Sequence, residues 1–222
     1  MKLRYHLVFV ALLLTAFGIL GRAHYGSYTN FTAESDYQYT CYVAELMSEM
    51  ATADCQEMRK TLLQAPVILQ VTPVDEPICF FKGRQQRVRV EQIFKGEKVT
   101  QGEEILITAD RWKVYADDRS MDMGYVNFMK VGNKYLVFLS GIVGNAEDGT
   151  NVFRLQSGQF IVPVFSYSEC ENKVYPISGD STYVPYAEVS NNEFFAVDKY
   201  SLQGTTQGRY LTGGVPPVRF SM

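Results

Sequence analysis

The stretch RVRVEQIFKGEKVTQGEEILITAD, residues 87–110, decides the fold of this chain. Lys95 and Gly96 close a run in which Val88, Val90, Gln92 and Phe94 alternate with Arg87, Arg89, Glu91 and Ile93. This pattern is typical of a half-buried β-strand that ends in a turn. Two further apolar runs, residues 105–108 and 135–139, follow at hairpin and loop distances. The sequence therefore predicts a small antiparallel β-barrel or sandwich.

The rest of the main sheet is predicted from shorter runs on both sides of this stretch. Residues 112–130 have the composition of a loop-like insertion, and the Asp148-Gly149 pair supplies the positive φ that a hairpin turn needs. A short strand is expected at 125–129, and an edge strand or short helix at 194–197. The main strands are expected at residues 67–71, 85–94, 105–109, 135–139, 152–155 and 159–164.

Two helical segments are predicted ahead of the sheet, between residues 36 and 65. The second is expected to begin at an Asp54 cap and to end before Pro66, which disfavours the helical conformation at the preceding residue. A break near residues 51–53 would separate the segments and make a helical hairpin. The apolar residues of the two faces are Val43, Leu46, Met47 and Met50 in the first segment and Met58, Leu62 and Leu63 in the second.

The N-terminus has the layout of a secretory signal or a signal-anchor. Lys2 and Arg4 precede an apolar segment at residues 7–20, whose length lies between that of a signal-peptide core and that of a transmembrane helix. Two basic residues before the segment and one just after it, Arg22, favour an N-terminus that stays inside. We expect a single-pass membrane protein with its C-terminal domain outside the cell membrane. Cleavage and secretion are the alternative.

These segments divide the chain into four parts. Residues 1–23 are the signal-anchor or signal peptide, and residues 24–64 are a spacer with the helical element. Residues 65–200 are the β-barrel domain, and residues 201–222 are predicted to be a flexible tail.

All four cysteines lie beyond the N-terminal segment. An even number of cysteines in an exported chain indicates disulfide bonds. Three pairings are open, and we favour Cys41 with Cys55 and Cys79 with Cys170, because each then joins neighbouring elements. Buried reduced cysteines are the alternative.

The order of strands and turns resembles the small five-stranded barrels of the netrin-module and metalloproteinase-inhibitor (TIMP-like) group, which have oligosaccharide/oligonucleotide-binding (OB) folds. The resemblance covers about residues 65–165. TIMP-like inhibitors depend on a cysteine at the mature N-terminus within a Cys-x-Cys start, and no such start exists here, so the resemblance implies the fold without the zinc-chelating inhibition. The matching residues are Val88, Val90, Phe94, Lys95, Gly96, Gly132, Tyr135, Leu136 and Phe138.

The composition disfavours most catalytic chemistry. The chain has two histidines, His6 and His24, and both lie in or beside the N-terminal segment. The domain therefore lacks the usual general base, the imidazole of serine and cysteine triads, and the commonest ligand of catalytic zinc. The cysteine spacing contains no Cys-x-x-Cys clip, so no metal site is expected. We also expect no cofactor.

Carboxylate chemistry remains open as an alternative. Asp110, Asp117, Asp118 and Asp122 occur close together, as ligands of a hard cation would. Their spacing does not alternate in the manner of a calcium loop, and Arg119 lies among them, which favours a solvated acidic loop. A carboxylate-dependent hydrolase would need an acid and a base that face each other across a cleft.

The charge and the aromatic residues indicate the class of partner. Beyond residue 23 the chain carries 18 basic and 24 acidic residues, which disfavours binding to nucleic acid. Aromatic side chains stack on sugars and peptides, although tyrosine also packs in ordinary sheets. The candidate ligand-binding residues are Trp112, Tyr167, Tyr175, Tyr183 and Tyr186.

The sequence therefore predicts a non-catalytic extracytoplasmic binding or scaffolding protein. Its expected partners are an extracellular protein or polysaccharide, and the membrane through the N-terminal helix. An inhibitor or regulator of an extracellular protease is the first alternative, because the TIMP-like resemblance implies it. A carboxylate-dependent hydrolase is the second.

Overall fold

The computed structural model of the chain describes residues 2–26, 40–42, 48–80, 83–109, 113–115, 120–122, 126–156, 162–168, 172–175, 183–195 and 199. The helices are α1 (Lys2–Gly26), α2 (Ser48–Leu62) and α3 (Tyr186–Val189). The strands are β1 (Thr40–Tyr42), β2 (Val67–Pro73), β3 (Ile78–Phe80), β4 (Gly83–Lys95), β5 (Glu104–Ala109), β6 (Lys113–Tyr115), β7 (Ser120–Asp122), β8 (Tyr135–Asn145), β9 (Asn151–Leu155), β10 (Val164–Ser166) and β11 (Tyr183–Pro185).

Five strands form a closed β-barrel, so the prediction of a small barrel is confirmed. β2 pairs with β4 and β8, β5 pairs with β4 and β9, and β8 pairs with β9 to close the ring. Only the β5–β9 pair of this ring is parallel. Around the barrel the strands lie in the order β2-β4-β5-β9-β8 and back to β2. If the five strands are numbered 1 to 5 along the chain, this order is 1-2-3-5-4-1, which is compatible with an OB-like fold.

The alternation along β4 has the predicted structural role as far as Val90, whereas Phe94, predicted on the same side of the strand, is 51% exposed. Arg84, Gln86, Val88 and Val90 are buried, while the residues between them are half-buried or exposed. β2 alternates in the same way between buried and half-buried positions. This period-2 pattern places one side of each strand in the barrel interior. The largest side chains that are almost fully buried are Phe153, Phe195, Met58, Leu62, Leu69, Ile105 and Leu139.

The helical hairpin predicted ahead of the barrel is wrong in the described part of the chain. Residues 40–42 form strand β1, and α2 runs without interruption from Ser48 through residues 51–53, where a break was expected. Asp54 therefore lies inside the helix and does not cap it. The apolar face is formed by Cys55, Met58 and Leu62, which join the barrel core, whereas Leu63 is 75% exposed.

The predicted loop at 112–130 contains strands that belong to a second, four-stranded sheet. β6 and β7 form an antiparallel pair, and β7 pairs in parallel with β1. β1 also pairs with β11, so this sheet has the order β11-β1-β7-β6. Three-residue strands leave almost no periodic signal in a sequence, and their pairing here joins segments far apart in the chain. The short strand expected at 125–129 is reduced to one antiparallel bridge between Val126 and Phe194.

The N-terminal helix α1 exposes apolar side chains, including Phe9, Leu14 and Phe17. Within the described residues, no helix combines the length and the apolarity needed to cross a membrane.

Gly96 ends β4 at the turn that the sequence predicted. Its φ is +135°, and a Cβ atom at this position would lie 3.2 Å from Val67 Cγ1. We therefore expect Gly96→Ala to lower the free energy of unfolding by about 1–3 kcal/mol, because the backbone is strained for any side chain and Val67 must also shift. Gly102→Ala is the matched control, since Gly102 also has a positive φ, +84°, but has open space around it. Urea denaturation of both variants tests this, and an equal loss in both would contradict the role of Val67.

Candidate functional site

The outer face of β4 and β5 is the candidate site, and it is built from residues paired across the two strands. The register places Gln85 opposite Thr108, Arg87 opposite Leu106, and Arg89 opposite Glu104. Because alternate residues of a strand point to the same side, the residues of each of these pairs share the side away from the core residue Val88. In OB folds this part of the barrel, with its flanking loops, carries the ligand.

Arg87 connects this face to both flanking loops. Its Nη2 lies 2.7 Å from Asp148 Oδ2, and its Nη1 donates a hydrogen bond of 3.1 Å to Thr150 Oγ1 in the same turn. Its Nε lies 3.7 Å from Asp75 Oδ2, in the connection between β2 and β3. One half-buried guanidinium group therefore contacts two loops, and the second of them carries Asp148, 61 residues after Arg87 in the chain.

The Asp148 turn is ordered by its own hydrogen bonds. Asp148 Oδ1 accepts from the Thr150 N–H at 2.9 Å, and the Ala146 N–H donates to the Thr150 carbonyl at 2.9 Å. Gly149 has a φ of +83°, so the Asp148-Gly149 turn predicted from the sequence is confirmed. Hydrogen bonds from the Thr150 side chain and backbone, and then from Arg87, lower the pKa of Asp148 from its ordinary value of 3.8 to about 2. Asp148 in turn raises the pKa of Arg87.

The lowered pKa of Asp148 gives a pH-dependent contribution to stability. Because the folded chain favours the carboxylate, this contribution is complete above about pH 4 and is lost as the pH falls through about 2. We expect the carboxyl group of Asp148 to titrate with a midpoint near 2 in NMR spectra of the folded chain. Between pH 4 and pH 2 the urea concentration at the midpoint of unfolding should therefore fall less for Asp148→Asn than for the unchanged chain, because the variant has no carboxyl group at this position to protonate. An Asp148 midpoint near 3.8 would contradict the prediction.

The loop that carries Asp75 is also contacted from the inner side of β4. Gln86 is buried, and its Nε2 donates to the Asp75 carbonyl at 3.1 Å and to the Met129 carbonyl at 2.8 Å. The guanidinium of Arg84 lies 5.2 Å from the centre of the Phe128 ring. Adjacent residues of β4, Gln86 and Arg87, thus contact residue 75 from both faces of the strand. These contacts hold the loop in one arrangement.

The charges of the outer face are balanced with a slight negative excess. Arg89 Nη2 lies 3.5 Å from Glu104 Oε1, and Arg87 is paired with Asp75 and Asp148. Two guanidinium groups and three carboxylates leave this cluster with one net negative charge. A phosphate backbone requires unpaired positive charge, so the geometry of this face suits hydroxyl and amide groups better than phosphates.

The tyrosines predicted as ligand-binding residues lie in the C-terminal third of the chain, away from Arg87 in sequence. Tyr186 is buried, its hydroxyl donates to Asn127 Oδ1 at 3.1 Å, and its ring lies edge-on to Phe128. The Tyr175 hydroxyl donates to the Glu188 carbonyl. Tyr167 packs against the core, and burial raises its pKa. The side chains of Trp112 and Tyr183 lie outside the described residues, so binding by the full set stays a prediction.

A buried asparagine network, which no sequence pattern indicated, joins the C-terminal segment to the barrel. Asn127 Oδ1 accepts from the Phe128 N–H at 2.8 Å and from the Tyr186 hydroxyl. Asn192 donates to the Lys173 carbonyl at 2.8 Å. Asn127 Nδ2 donates to the carbonyl groups of Val189 at 3.2 Å, Ser190 at 3.2 Å and Asn192 at 2.8 Å.

The predicted disulfides stay untested. Cys55 is buried in the core on α2, and no disulfide is seen among the side chains that the structure describes. The structure does not describe the side chains of the other three cysteines, Cys41, Cys79 and Cys170. In the same described part of the chain, no three histidine, cysteine, aspartate or glutamate residues are placed to hold a metal ion. The carboxylates considered for a cation site or a hydrolase also lie outside the described part of the chain. These are residues Asp110, Asp117 and Asp118 and the side chain of Asp122.

No protein-family model matches the chain, and no curated protein is significantly similar to it. The resemblance to the netrin-module and TIMP-like barrels is therefore supported only at the level of a closed five-stranded barrel compatible with an OB-like fold.

Proposed function

We propose that this chain is a non-catalytic binding or scaffolding protein that works outside the cytosol. Its binding face is the outer side of β4 and β5, flanked by the loop that carries Asp75 and the turn that carries Asp148. The observation that carries the proposal is the set of contacts that Arg87 makes with Asp75, Asp148 and Thr150, because these contacts hold both flanking loops in one arrangement. A preorganised face loses less conformational entropy when a ligand binds.

The chemistry of the partner follows from the groups on this face. Gln85, Arg89, Glu104 and Thr108 offer hydrogen-bond donors and acceptors without an excess of positive charge. An extracellular polysaccharide or a polar protein surface fits such a face. The absence of histidine beyond residue 24 supports a binding role over acid–base catalysis.

The extracytoplasmic location rests on the N-terminal helix. The first 23 residues contain three basic residues and no acidic one, and the exposed side chains of α1 between residues 9 and 20 are predominantly apolar. An apolar surface of this kind partitions out of water. In this proposal α1 brings the chain to the membrane, either as a lasting anchor or as a signal that is cut.

The proposal is tested with the full chain and a panel of soluble polysaccharides, neutral and anionic. In parallel, a photo-crosslinking residue at position 89 is applied to intact cells that display the chain. We expect one class of ligand to bind, and Arg89→Glu to weaken that binding by about tenfold or more, because it places a second carboxylate beside Glu104. Lys60→Glu, on the exposed side of α2, is the matched control and should bind normally.

Two results would overturn the proposal. One is turnover of a substrate by the purified chain. The other is ligand binding that Arg89→Glu and Lys60→Glu change equally, since the working surface would then lie elsewhere.

A further inference from the structure

The beginning of β2 lies between the ends of two neighbouring strands. The end of β4 lies beside it, with Lys95 opposite Ile68. On the other side, β8 continues to Asn145, past the pair of Val67 and Leu139. Since β8, β2 and β4 are consecutive in the sheet, these three strands form one stretch of the barrel rim. The helix α2 ends four residues before β2, so this end of the barrel is called the α2 end.

The α2 end exposes a group of apolar side chains. Leu63, directly after α2, is 75% exposed, and Phe94 near the end of β4 is 51% exposed. The Leu63 carbonyl accepts a hydrogen bond of 3.4 Å from Lys95 Nζ, so the two segments lie side by side. Ile142 and Val143, on the adjacent end of β8, are also exposed. An exposed apolar group with a polar rim is typical of an interaction surface.

The same end carries an excess of positive charge on a chain that is acidic elsewhere. Residues 57–66 and 92–99 hold four basic and two acidic residues, whereas the chain beyond residue 23 holds 18 basic and 24 acidic ones. Two of the basic residues lie one helical turn before Leu63. The β8 side is less positive, since Glu147 and Asp148 follow β8. The exposed charged residues around Leu63 and Phe94 are Arg59, Lys60, Lys95, Lys98, Glu57 and Glu97.

The opposite end of the barrel provides the comparison. The Gly132 N–H donates a hydrogen bond to the carbonyl of Pro73, the last residue of β2, which places the neighbouring Val131 at that end. Val131 is exposed, as is Ile78 at the start of β3. The charged residues beside these two have no net charge, because they are Lys130, Lys134, Asp75 and Glu76. Apolar exposure and positive charge therefore coincide at the α2 end.

We propose that the α2 end docks on the surface of a phospholipid bilayer. Leu63 and Phe94 enter the headgroup region, and the basic residues lie against anionic lipids. Apolar side chains flanked by lysine and arginine are the combination by which proteins bind the membrane interface, since burial and charge both contribute. This inference rests on the proposal that α1 brings the chain to a membrane.

The length of chain after α1 permits this docking. Residues 27–39 separate α1 from β1. Thirteen residues span at most about 45 Å, which exceeds the radius of gyration of roughly 14 Å expected for a domain of about 140 residues. A domain on a tether of this length can turn its α2 end to the bilayer. Because the tether holds the domain close, even a weak contact is populated.

Docking at the α2 end leaves the binding face accessible. Arg87 precedes Phe94 by seven residues of β4, which is roughly 20 Å along a strand. The β4–β5 face around Arg87 therefore stays clear of the headgroups and open to a soluble ligand. In this arrangement the bilayer contact sets the orientation of the barrel.

Quenching by bromine-labelled lipids in vesicles measures the docking. The full chain carries one fluorescent amino acid, introduced by codon suppression at position 63, or at position 131 as the matched control. Both positions are exposed, so the label does not disturb the core. With vesicles that contain anionic lipid, we expect strong quenching at position 63 and little at position 131. Quenching at position 63 should weaken with neutral vesicles and at high salt, because salt screens the attraction.

Removal of positive charge tests the contribution of the basic residues. Lys95→Gln combined with Lys98→Gln should lower the ratio of docked to undocked chains by about tenfold or more, because each basic residue near an anionic surface contributes to binding. Lys130→Gln combined with Lys134→Gln is the matched control. It removes the same charge from the opposite end and should leave the quenching at position 63 unchanged.

Flotation of the vesicles separates this inference from the role of α1. A chain that floats with the vesicles, but whose label at position 63 is quenched no more than the label at position 131, overturns the docking and leaves the proposal for α1 in place. Quenching at position 63 that is unchanged by Lys95→Gln with Lys98→Gln also overturns the docking. A chain that does not float overturns both.

Discussion

Replacing Asn127 by alanine is expected to lower the free energy of unfolding by about 3 kcal/mol or more. The side chain is 4% exposed and serves five partners, three carbonyl groups, one backbone N–H and the Tyr186 hydroxyl. Each buried polar group that loses its partner costs about 1–3 kcal/mol, so the loss of this one amide outweighs the small change in volume. Chemical denaturation measures the loss.

Two further measurements distinguish a specific loss at Asn127 from general damage. Asn191→Ala is the control, since Asn191 is exposed and its side chain accepts a hydrogen bond from Lys130 Nζ at 2.9 Å at the surface; its effect should stay within about 0.5 kcal/mol. Amide hydrogen exchange should accelerate first in residues 186–195, because these residues depend on Asn127 for their attachment. A loss below about 1 kcal/mol would mean that the carbonyl groups find other partners.

Phe153→Ala is expected to lower the free energy of unfolding by about 3–5 kcal/mol. Phe153 is 1% exposed and lies on β9, opposite Ile107 of β5 on one side and Ile142 of β8 on the other. Truncation to alanine removes the transfer energy of a buried ring and leaves a cavity where the barrel closes. Denaturation by urea measures this loss as well.

The neighbouring residue on the same strand provides the control. Arg154 is exposed, and Arg154→Ala should change stability by no more than about 0.5 kcal/mol. If Phe153→Ala cost as little as Arg154→Ala, β9 would not close the barrel in solution.

The fold could be predicted where the signal is local. Alternation along β4 up to Val90, the apolar runs of β2, β5 and β8, and the Asp148-Gly149 turn all follow from the properties of neighbouring residues, and they appear as expected. The helical hairpin failed because the apolar spacing of its first segment begins only at Val43, after β1, and because the helix continues through residues 51–53, where a break was expected. The pairing of β1 with β7 and β11 is what makes residues 40–42 extended.

The candidate site could be predicted only in part. Alternation places Arg87 on the outer side of its strand, yet no sequence pattern links it to Asp75 and Asp148. Asn127 was equally hidden, since a single asparagine in an apparent loop resembles any solvated turn residue.

Local chemistry was sufficient to predict a β-domain, because strand periodicity and turn residues are properties of the chain before it folds. The closing of β9 between β5 and β8 and the contacts of Arg87 with two distant loops required the folded barrel. These features depend on which strands become neighbours, and that choice is made by the burial of the whole core rather than by any short stretch of residues.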